Sequence, residues 1–145
     1  MSDNSNGQPP TWYYLVAVAA LIWNAMGVMA YVMQVMATPE ALAEAYTPEQ
    51  VALLMAVPAW ATSATAIATH FGLLGCVILL LRKSAATWIF VISLVAIVVQ
   101  DIYLFVLSDS IAQFGTSPIF MQTAVLLIAM ALVWYSRLVA NRYYR

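Results

Sequence analysis

The sequence predicts an all-α membrane protein built as a bundle of four transmembrane helices. Hydrophobic residues make up 65% of the chain and charged residues 8%, whereas soluble domains have about 45–50% and about 25%. Four apolar runs are each long enough to cross a hydrocarbon core of about 30 Å as a helix, which rises about 1.5 Å per residue. These predicted spans are residues 12–36, 58–81, 85–107 and 118–138.

The spans are expected to be helices in an up-down-up-down arrangement. Backbone polar groups in lipid must satisfy one another, and the runs lack the alternation of barrel strands, which are about 10 residues long. The connections 82–84 and 108–117 are short, so consecutive spans should lie antiparallel and adjacent.

The distribution of charge predicts that both termini are cytoplasmic. All five basic residues fall between the second and third spans or at the end of the fourth, and these two places share a side of the membrane. They are Arg82, Lys83, Arg137, Arg142 and Arg145. The other loops carry acidic residues and no Lys or Arg, so the positive-inside rule places those loops outside.

One membrane domain, residues 12–138, is expected to form the folded part of the chain. A polar tail of residues 1–11 should be disordered, and a basic cytoplasmic tail of residues 139–145 should follow the domain. The first span exceeds the apolar stretch of a signal peptide, about 7–15 residues, and its leader has no Lys or Arg, so it is predicted to remain uncleaved.

The outer loop, residues 38–57, is predicted to contain two short helices. Thr38 and Thr47 each precede a Pro and a Glu, which is typical of a helix N-cap and first turn. Thr47 and Gln50 also have the spacing of a capping box. The second helix is expected to lie on the membrane surface over the outer end of the bundle, as a connector or as a moving gate.

Helical periodicity predicts which faces point into the bundle. Small and polar residues of the first span share an inward stripe comprising Ala17, Ala20, Asn24, Gly27, Tyr31 and Gln34. The opposite stripe, expected to face lipid or a partner protein, comprises Met26, Met29, Met33 and Met36. In the second span a stripe of small residues should pack against a neighbouring helix or protomer, and it comprises Thr65, Thr69, Gly72 and Cys76.

Each span contributes a polar group, and these groups are predicted to meet in a pocket that opens outward. Asn24 and His70 lie near the middle of their spans, while Asp101 and Gln122 lie nearer the outer side. The candidates for solute contact or proton coupling are Asp101, His70, Asn24, Gln100, Gln122 and Tyr31.

Asp101 is the most costly of these residues, because a carboxylate inside a membrane helix is disfavoured by about 2.5–3.5 kcal/mol. It either carries a proton or is ionised and held by Gln100, Gln122, Tyr103 or a protonated His70. The alternatives are a role in proton or cation coupling and a structural hydrogen bond near the interface. For His70, the only histidine, the alternatives are a charge switch near neutral pH and a packing role.

No catalytic, cofactor or metal motif is found in the sequence, so we expect a protein that is not an enzyme and has no cofactor. One histidine cannot provide both axial ligands of a haem within a protomer, and the single Cys76 can form neither an intrachain disulfide nor a multi-cysteine metal site. The membrane topology accounts for the five basic residues, and they form too small a basic patch to predict a surface that binds nucleic acid.

Several short motifs are spread over the chain, namely Leu21-Ile22-Trp23-Asn24-Ala25-Met26-Gly27, the Thr-Pro-Glu loop, Pro58-Ala59-Trp60, Gly72-Leu73-Leu74-Gly75-Cys76 and Arg82-Lys83. Together they resemble a family of small proteobacterial four-span proteins that carry a sugar-transporter label. The resemblance covers nearly the whole chain and implies transport in a bacterial inner membrane, but it assigns no binding residue. In length and topology the chain also resembles DoxX-like four-helix membrane proteins, which is an analogy of fold alone.

Two hypotheses of function follow. In the first, the protein binds or transports a small polar solute, linked to protons through Asp101 and His70, and forms at least a dimer through the stripe of small residues. In the second, it is a non-catalytic accessory or assembly subunit, whose methionine and aromatic faces dock onto a larger membrane complex.

Overall fold

The computed structural model describes residues 8–143, and within them it is helical without strands. The helices are α1 (Thr11–Met36), α2 (Pro39–Ala43), α3 (Pro48–Met55), α4 (Ala59–Leu80), α5 (Ala85–Ile102), α6 (Ser110–Phe114) and α7 (Ser117–Tyr143). A π-helical turn, Tyr103–Leu107, continues α5. In this part of the chain, four helices are long and apolar enough to span a membrane, namely α1, α4, α5 with its π-turn, and α7. The predicted all-α four-span architecture is confirmed.

The four long helices pack in chain order, α1 on α4, α4 on α5 and α5 on α7. Consecutive long helices are antiparallel, so the start of α1, the turn between α4 and α5 and the end of α7 lie at one end of the bundle. We call this the basic end, because Arg82, Lys83 and Arg142 lie there. The opposite end, which carries α2, α3 and α6, is the loop end.

The main apolar core lies at the basic end. Its buried residues come from all four long helices and are Tyr13, Ala17, Ala20, Cys76, Leu79, Ala86, Phe90, Leu132, Tyr135 and Val139. The hydroxyl of Tyr13, whose side chain is fully buried, donates a hydrogen bond to the carbonyl of Leu79. The hydroxyl of Tyr135 donates to the carbonyl of Tyr13 at 3.4 Å, and the two rings stack. These contacts fasten α1 to both α4 and α7.

Helix α7 is longer than predicted. The sequence predicts a span ending at Leu138 and a tail from residue 139, but α7 continues to Tyr143 and Val139 is fully buried in the core. Arg142 lies in the last turn, where a positive charge interacts favourably with the helix dipole, so the basic residues extend the helix. Helix α1 begins at Thr11, and residues 1–7 of the predicted disordered tail lie outside the described residues.

The two short helices of the outer loop form as predicted. The Thr38 side chain accepts a hydrogen bond from the backbone N–H of Ala41 at 3.2 Å. Thr47 and Gln50 form the reciprocal capping box, with bonds of 3.3 and 3.1 Å. The Gln50 side-chain amide also donates to the carbonyl of Gln113 at 2.9 Å, which ties α3 to α6 across the loop end.

The turn between α4 and α5 contains a strained residue. Arg82 has φ of 59°, in the left-handed region, and within residues 8–143 it is the only residue other than glycine with positive φ. Its N–H donates to the carbonyl of Leu79 at 2.9 Å, and the N–H of Lys83 donates to the carbonyl of Ile78 at 3.1 Å. This is a Schellman motif with arginine at the position where glycine is usual.

Replacing Arg82 by glycine should stabilise the bundle relative to replacing it by alanine. Both variants lose the same side chain, but only glycine adopts this φ without steric cost, so Arg82→Gly should be more stable by roughly 1 kcal/mol. The measurement is the free energy of unfolding in a mild detergent. Equal stability of the two variants would contradict the strained turn.

Candidate functional site

Two cavities lie between the long helices. The deep cavity, of about 400 Å³, is bounded toward the basic end by the core residues Phe90 and Leu132. The loop-end cavity, of about 300 Å³, lies under α3 and α6, which contribute Leu53, Leu54 and Phe114 to its lining. The bundle is thus packed at its basic end and hollow toward its loop end.

Polar side chains lie where the two cavities adjoin. Four residues line both of them, one from each long helix, and they are Gln34, Thr65, Gln100 and Gln122. We call this set the polar ring; Gln34 is exposed, and the other three are half-buried. The Thr65 hydroxyl donates to the carbonyl of Ala61 at 3.1 Å, so its oxygen can accept a further hydrogen bond. The side-chain oxygen of Gln122 is buried and has no hydrogen-bond partner among the described residues.

Asn24 lies deeper in the bundle, at the wall of the deep cavity. Its amide nitrogen donates to the carbonyl of Ala20 at 2.9 Å and contacts the sulfur of Cys76 at 3.4 Å. Its oxygen lies directly over Gly72, where a Cβ atom would be only 2.1 Å away. Glycine at position 72 therefore makes room for the Asn24 side chain.

The stripe of small residues on α4 packs against α1 of the same chain. Gly72 and Cys76 are buried against Asn24, and the methyl group of Thr69 would lie 3.7 Å from a Cβ atom at Gly27. The prediction that this stripe packs against a neighbouring helix is confirmed. Helix α1 of the same chain covers Gly72 and Cys76 of this stripe, and the association of two protomers stays a prediction.

Of the predicted site residues, Asn24, Tyr31, Gln100 and Gln122 line the deep cavity together. Gln100 and Gln122 also belong to the polar ring. The predicted meeting of polar groups from several spans is therefore found for these four residues, and their role in solute contact stays a prediction.

Asp101 is half-buried and lines neither cavity, although its neighbour Gln100 lines both. One of its carboxylate oxygens is buried and has no hydrogen-bond partner among residues 8–143. Thus none of the predicted partners, Gln100, Gln122, Tyr103 and His70, donates to this oxygen. The role of Asp101 in proton coupling stays a prediction.

His70 lies on the exposed face of α4 and lines neither cavity. Its Nδ1 is 2.8 Å from the carbonyl oxygen of Ala66, which can only accept, so Nδ1 carries the hydrogen. The ring meets Tyr31 edge to face, with centroids 5.5 Å apart. The expected inward position is corrected: Thr65 and Thr69 face the cavity, and residue 70 follows them about 100° further around the helix.

Gln34 and Thr65 are not among the site residues that the sequence predicts. Gln34 lies on the predicted inward stripe of the first span, and Thr65 lies on the stripe predicted to pack against a neighbouring helix. The available signal is that each is a polar side chain on an inward stripe near the outer end of its span, level with Gln100 and Gln122.

The outward position of the methionine stripe is confirmed, because Met26, Met29, Met33 and Met36 are all exposed.

A π-helical turn shapes the loop-end cavity. Tyr103 and Leu104, in the turn, and Ser108, directly after it, line this cavity. The Tyr103 ring meets Trp60 of α4 edge to face, with centroids 5.6 Å apart. A π-turn inserts an extra residue into the helical repeat and so re-aims the side chains that follow it.

Fold and site together define a small all-α membrane protein with an uncharged polar site inside a four-helix bundle. Comparison with protein-family models, curated protein sequences and solved structures finds no match for this chain. The resemblance to the sugar-transporter-labelled family therefore stays a prediction.

Adding a methyl group at Gly72 should disturb the site, whereas adding one at Gly27 should not. Gly72→Ala places Cβ against the Asn24 oxygen and should displace that side chain from Ala20 and Cys76, at a cost of about 1–3 kcal/mol. Gly27→Ala meets only an ordinary contact at 3.7 Å and gains the same helix propensity.

The free energy of unfolding in mild detergent checks this pair. Gly27→Ala should change it by less than about 1 kcal/mol in either direction. A Gly72→Ala variant as stable as Gly27→Ala would show that Asn24 is not held against α4.

Proposed function

We propose that this protein binds a small uncharged polar solute at the polar ring and carries it across the membrane. The observation that supports the proposal is that each of the four long helices contributes one polar residue to a ring between two cavities. Glutamine amides both donate and accept hydrogen bonds, which suits a hydroxylated solute. The described residues that line the two cavities include no Asp, Glu, Lys, Arg or His, which favours a neutral solute.

The orientation of the bundle gives the direction from which the solute arrives. By the positive-inside rule the basic end lies in the cytoplasm, in our proposal of a bacterial inner membrane, and the loop end lies outside. The solute enters the loop-end cavity beneath α3 and α6, passes the polar ring and reaches the deep cavity. The core around Tyr13 and Tyr135 closes the cytoplasmic side in this state, so release inward requires a second conformation.

Asp101 is the proposed coupling residue. It lies on the same turn of α5 as Gln100, and one of its oxygens has no partner among the described residues. A change in the charge of Asp101 would alter the free energy of keeping this turn of α5 in an apolar environment. A shift of the turn would then move Gln100, which lies on it. Proton transfer at Asp101 could in this way be linked to solute movement through the polar ring.

The polar ring is tested by replacing Gln122 with leucine, which has a similar size and no hydrogen-bonding group. Binding of a small polyol to the purified protein in liposomes, measured by equilibrium dialysis, should weaken about tenfold for each hydrogen bond lost. The matched control is Gln113→Leu, since Gln113 is exposed on α6 and lines neither cavity. Unchanged polyol binding in Gln122→Leu would exclude the ring as the binding site.

Proton coupling is tested with Asp101→Asn. Polyol uptake into proteoliposomes should lose its dependence on an imposed pH gradient, while uptake down a polyol gradient persists. Asp109→Asn, which removes a carboxylate from the exposed loop before α6, is the control and should keep the dependence. An Asp101→Asn variant that still responds to the pH gradient like the wild type would remove Asp101 from the mechanism.

A further inference from the structure

The two outermost helices of the bundle leave an opening toward lipid. Helix α1 packs on α4, and α7 packs on α5. Between α1 and α7 themselves, Trp12, Tyr13 and Tyr135 make the ring contacts at the basic end. Beyond that contact the deep cavity lies between the two helices, and residues of both helices line it.

Two methionines mark the edges of this opening. Met26 of α1 and Met121 of α7 both line the deep cavity, and yet they are 62% and 61% exposed. Each lies about 20 Å along its helix from the Tyr13–Tyr135 contact, at about 1.5 Å per residue, so the two lie at about the same level of the bundle. That level falls within the hydrocarbon layer. Methionine is flexible and apolar, which suits a passage that must admit an apolar chain.

The lining of the deep cavity indicates what enters. The polar ring lines the loop end of the deep cavity. Further in, the polar side chains of Asn24, Thr69 and Ser93 already donate to backbone carbonyls of the protein. Apolar surface between them comes from Phe90, Val125, Ile128 and Leu132. Charged headgroups find no counter-charge among the lining residues. A volume of about 400 Å³ accommodates a compact head and the first part of a chain, but not a whole lipid tail.

We infer that the deep cavity admits an uncharged amphiphile directly from the bilayer, through the opening between α1 and α7. Its hydroxylated head binds the polar ring, and its apolar tail leaves between Met26 and Met121 into the lipid. This inference rests on the polar ring of the proposed function, and it adds a second class of ligand and a second, lateral route of entry besides the one from the loop end.

Fluorescence of Trp23, which lines the deep cavity, provides the test. The other four tryptophans are replaced by phenylalanine, and the protein in liposomes is titrated with a monoacylglycerol brominated on its acyl chain. We expect saturable quenching at a few mole per cent, and only shallow, linear quenching by phosphatidylcholine with the same brominated chain. The phosphatidylcholine headgroup is zwitterionic and carries one positive and one negative group. Saturable quenching by this lipid would overturn the inference that the head of the ligand carries no charged group.

Two variants test the route. Ala30→Phe adds bulk at the cavity edge of α1, whereas Ala25→Phe adds the same bulk to an exposed position of α1 that lines neither cavity. Ala30→Phe should weaken the apparent affinity for the brominated monoacylglycerol at least tenfold, and Ala25→Phe should leave it unchanged. Equal affinities in the two variants would overturn entry between α1 and α7.

A second measurement uses the wild-type chain, so that it does not depend on the tryptophan replacements. A monoacylglycerol with a diazirine on its acyl chain is photoactivated in proteoliposomes, and the adducts are located by mass spectrometry. Adducts concentrated around Met26 and Met121 support the inference, and adducts spread evenly over the lipid-facing helix surfaces overturn it.

The inference and the proposed function can fail separately. If the free polyol binds in a Gln122-dependent manner while the monoacylglycerol neither quenches Trp23 saturably nor labels the opening, lateral entry is wrong and the polar ring stands. If neither compound binds, the polar ring itself is not a binding site and both proposals fall.

Discussion

The buried hydroxyl of Tyr13 holds the arrangement of the bundle together. This hydroxyl donates a hydrogen bond to the carbonyl of Leu79 at the end of α4. The backbone carbonyl of Tyr13 accepts a hydrogen bond from the Tyr135 hydroxyl of α7. A polar group left unsatisfied inside an apolar environment costs several kcal/mol, roughly 2–7 by transfer measurements, so these partners must stay together. Because the first, second and fourth long helices are fastened at one end, they can diverge toward the other and enclose cavities.

Packing between helices in lipid is decided by shape, since the surrounding acyl chains are as apolar as the side chains themselves. Gly72 and Cys76 allow α1 to approach α4 closely, and this approach fixes which face of α4 is inside. The position of His70 follows from that choice. His70 is exposed because the neighbouring stripe of small residues packs against α1. The hydrogen bond to the carbonyl of Ala66, one turn earlier on the same helix, gives the Nδ1 atom of the ring a partner.

The four spans and the helix caps of the outer loop could be predicted because both depend on local or compositional rules. The length of an apolar run determines whether it can span the membrane. The helix cap at Thr47 depends only on Thr47 and Gln50, which lie within four residues of each other. It is harder to predict which face of α4 points inward, since its sequence offers two plausible inner faces, the stripe of small residues and the neighbouring face that carries His70. Periodicity likewise cannot reveal the π-turn at Tyr103–Leu107, because its residues are as apolar as those of the α-helix before it. The sequence predicts amides together with the ionisable Asp101 and His70 in one site. The amides Asn24, Gln100 and Gln122 line the deep cavity, whereas Asp101 and His70 line neither cavity.

The left-handed arginine in the turn after α4 links folding to biogenesis. Glycine would relax this turn, whereas in the proposed orientation the positive charges of Arg82 and Lys83 keep this end of the second span in the cytoplasm. In that orientation the finished bundle and the nascent chain place opposing demands on position 82. The proposal therefore relates a local backbone distortion in the mature protein to the way the chain is inserted.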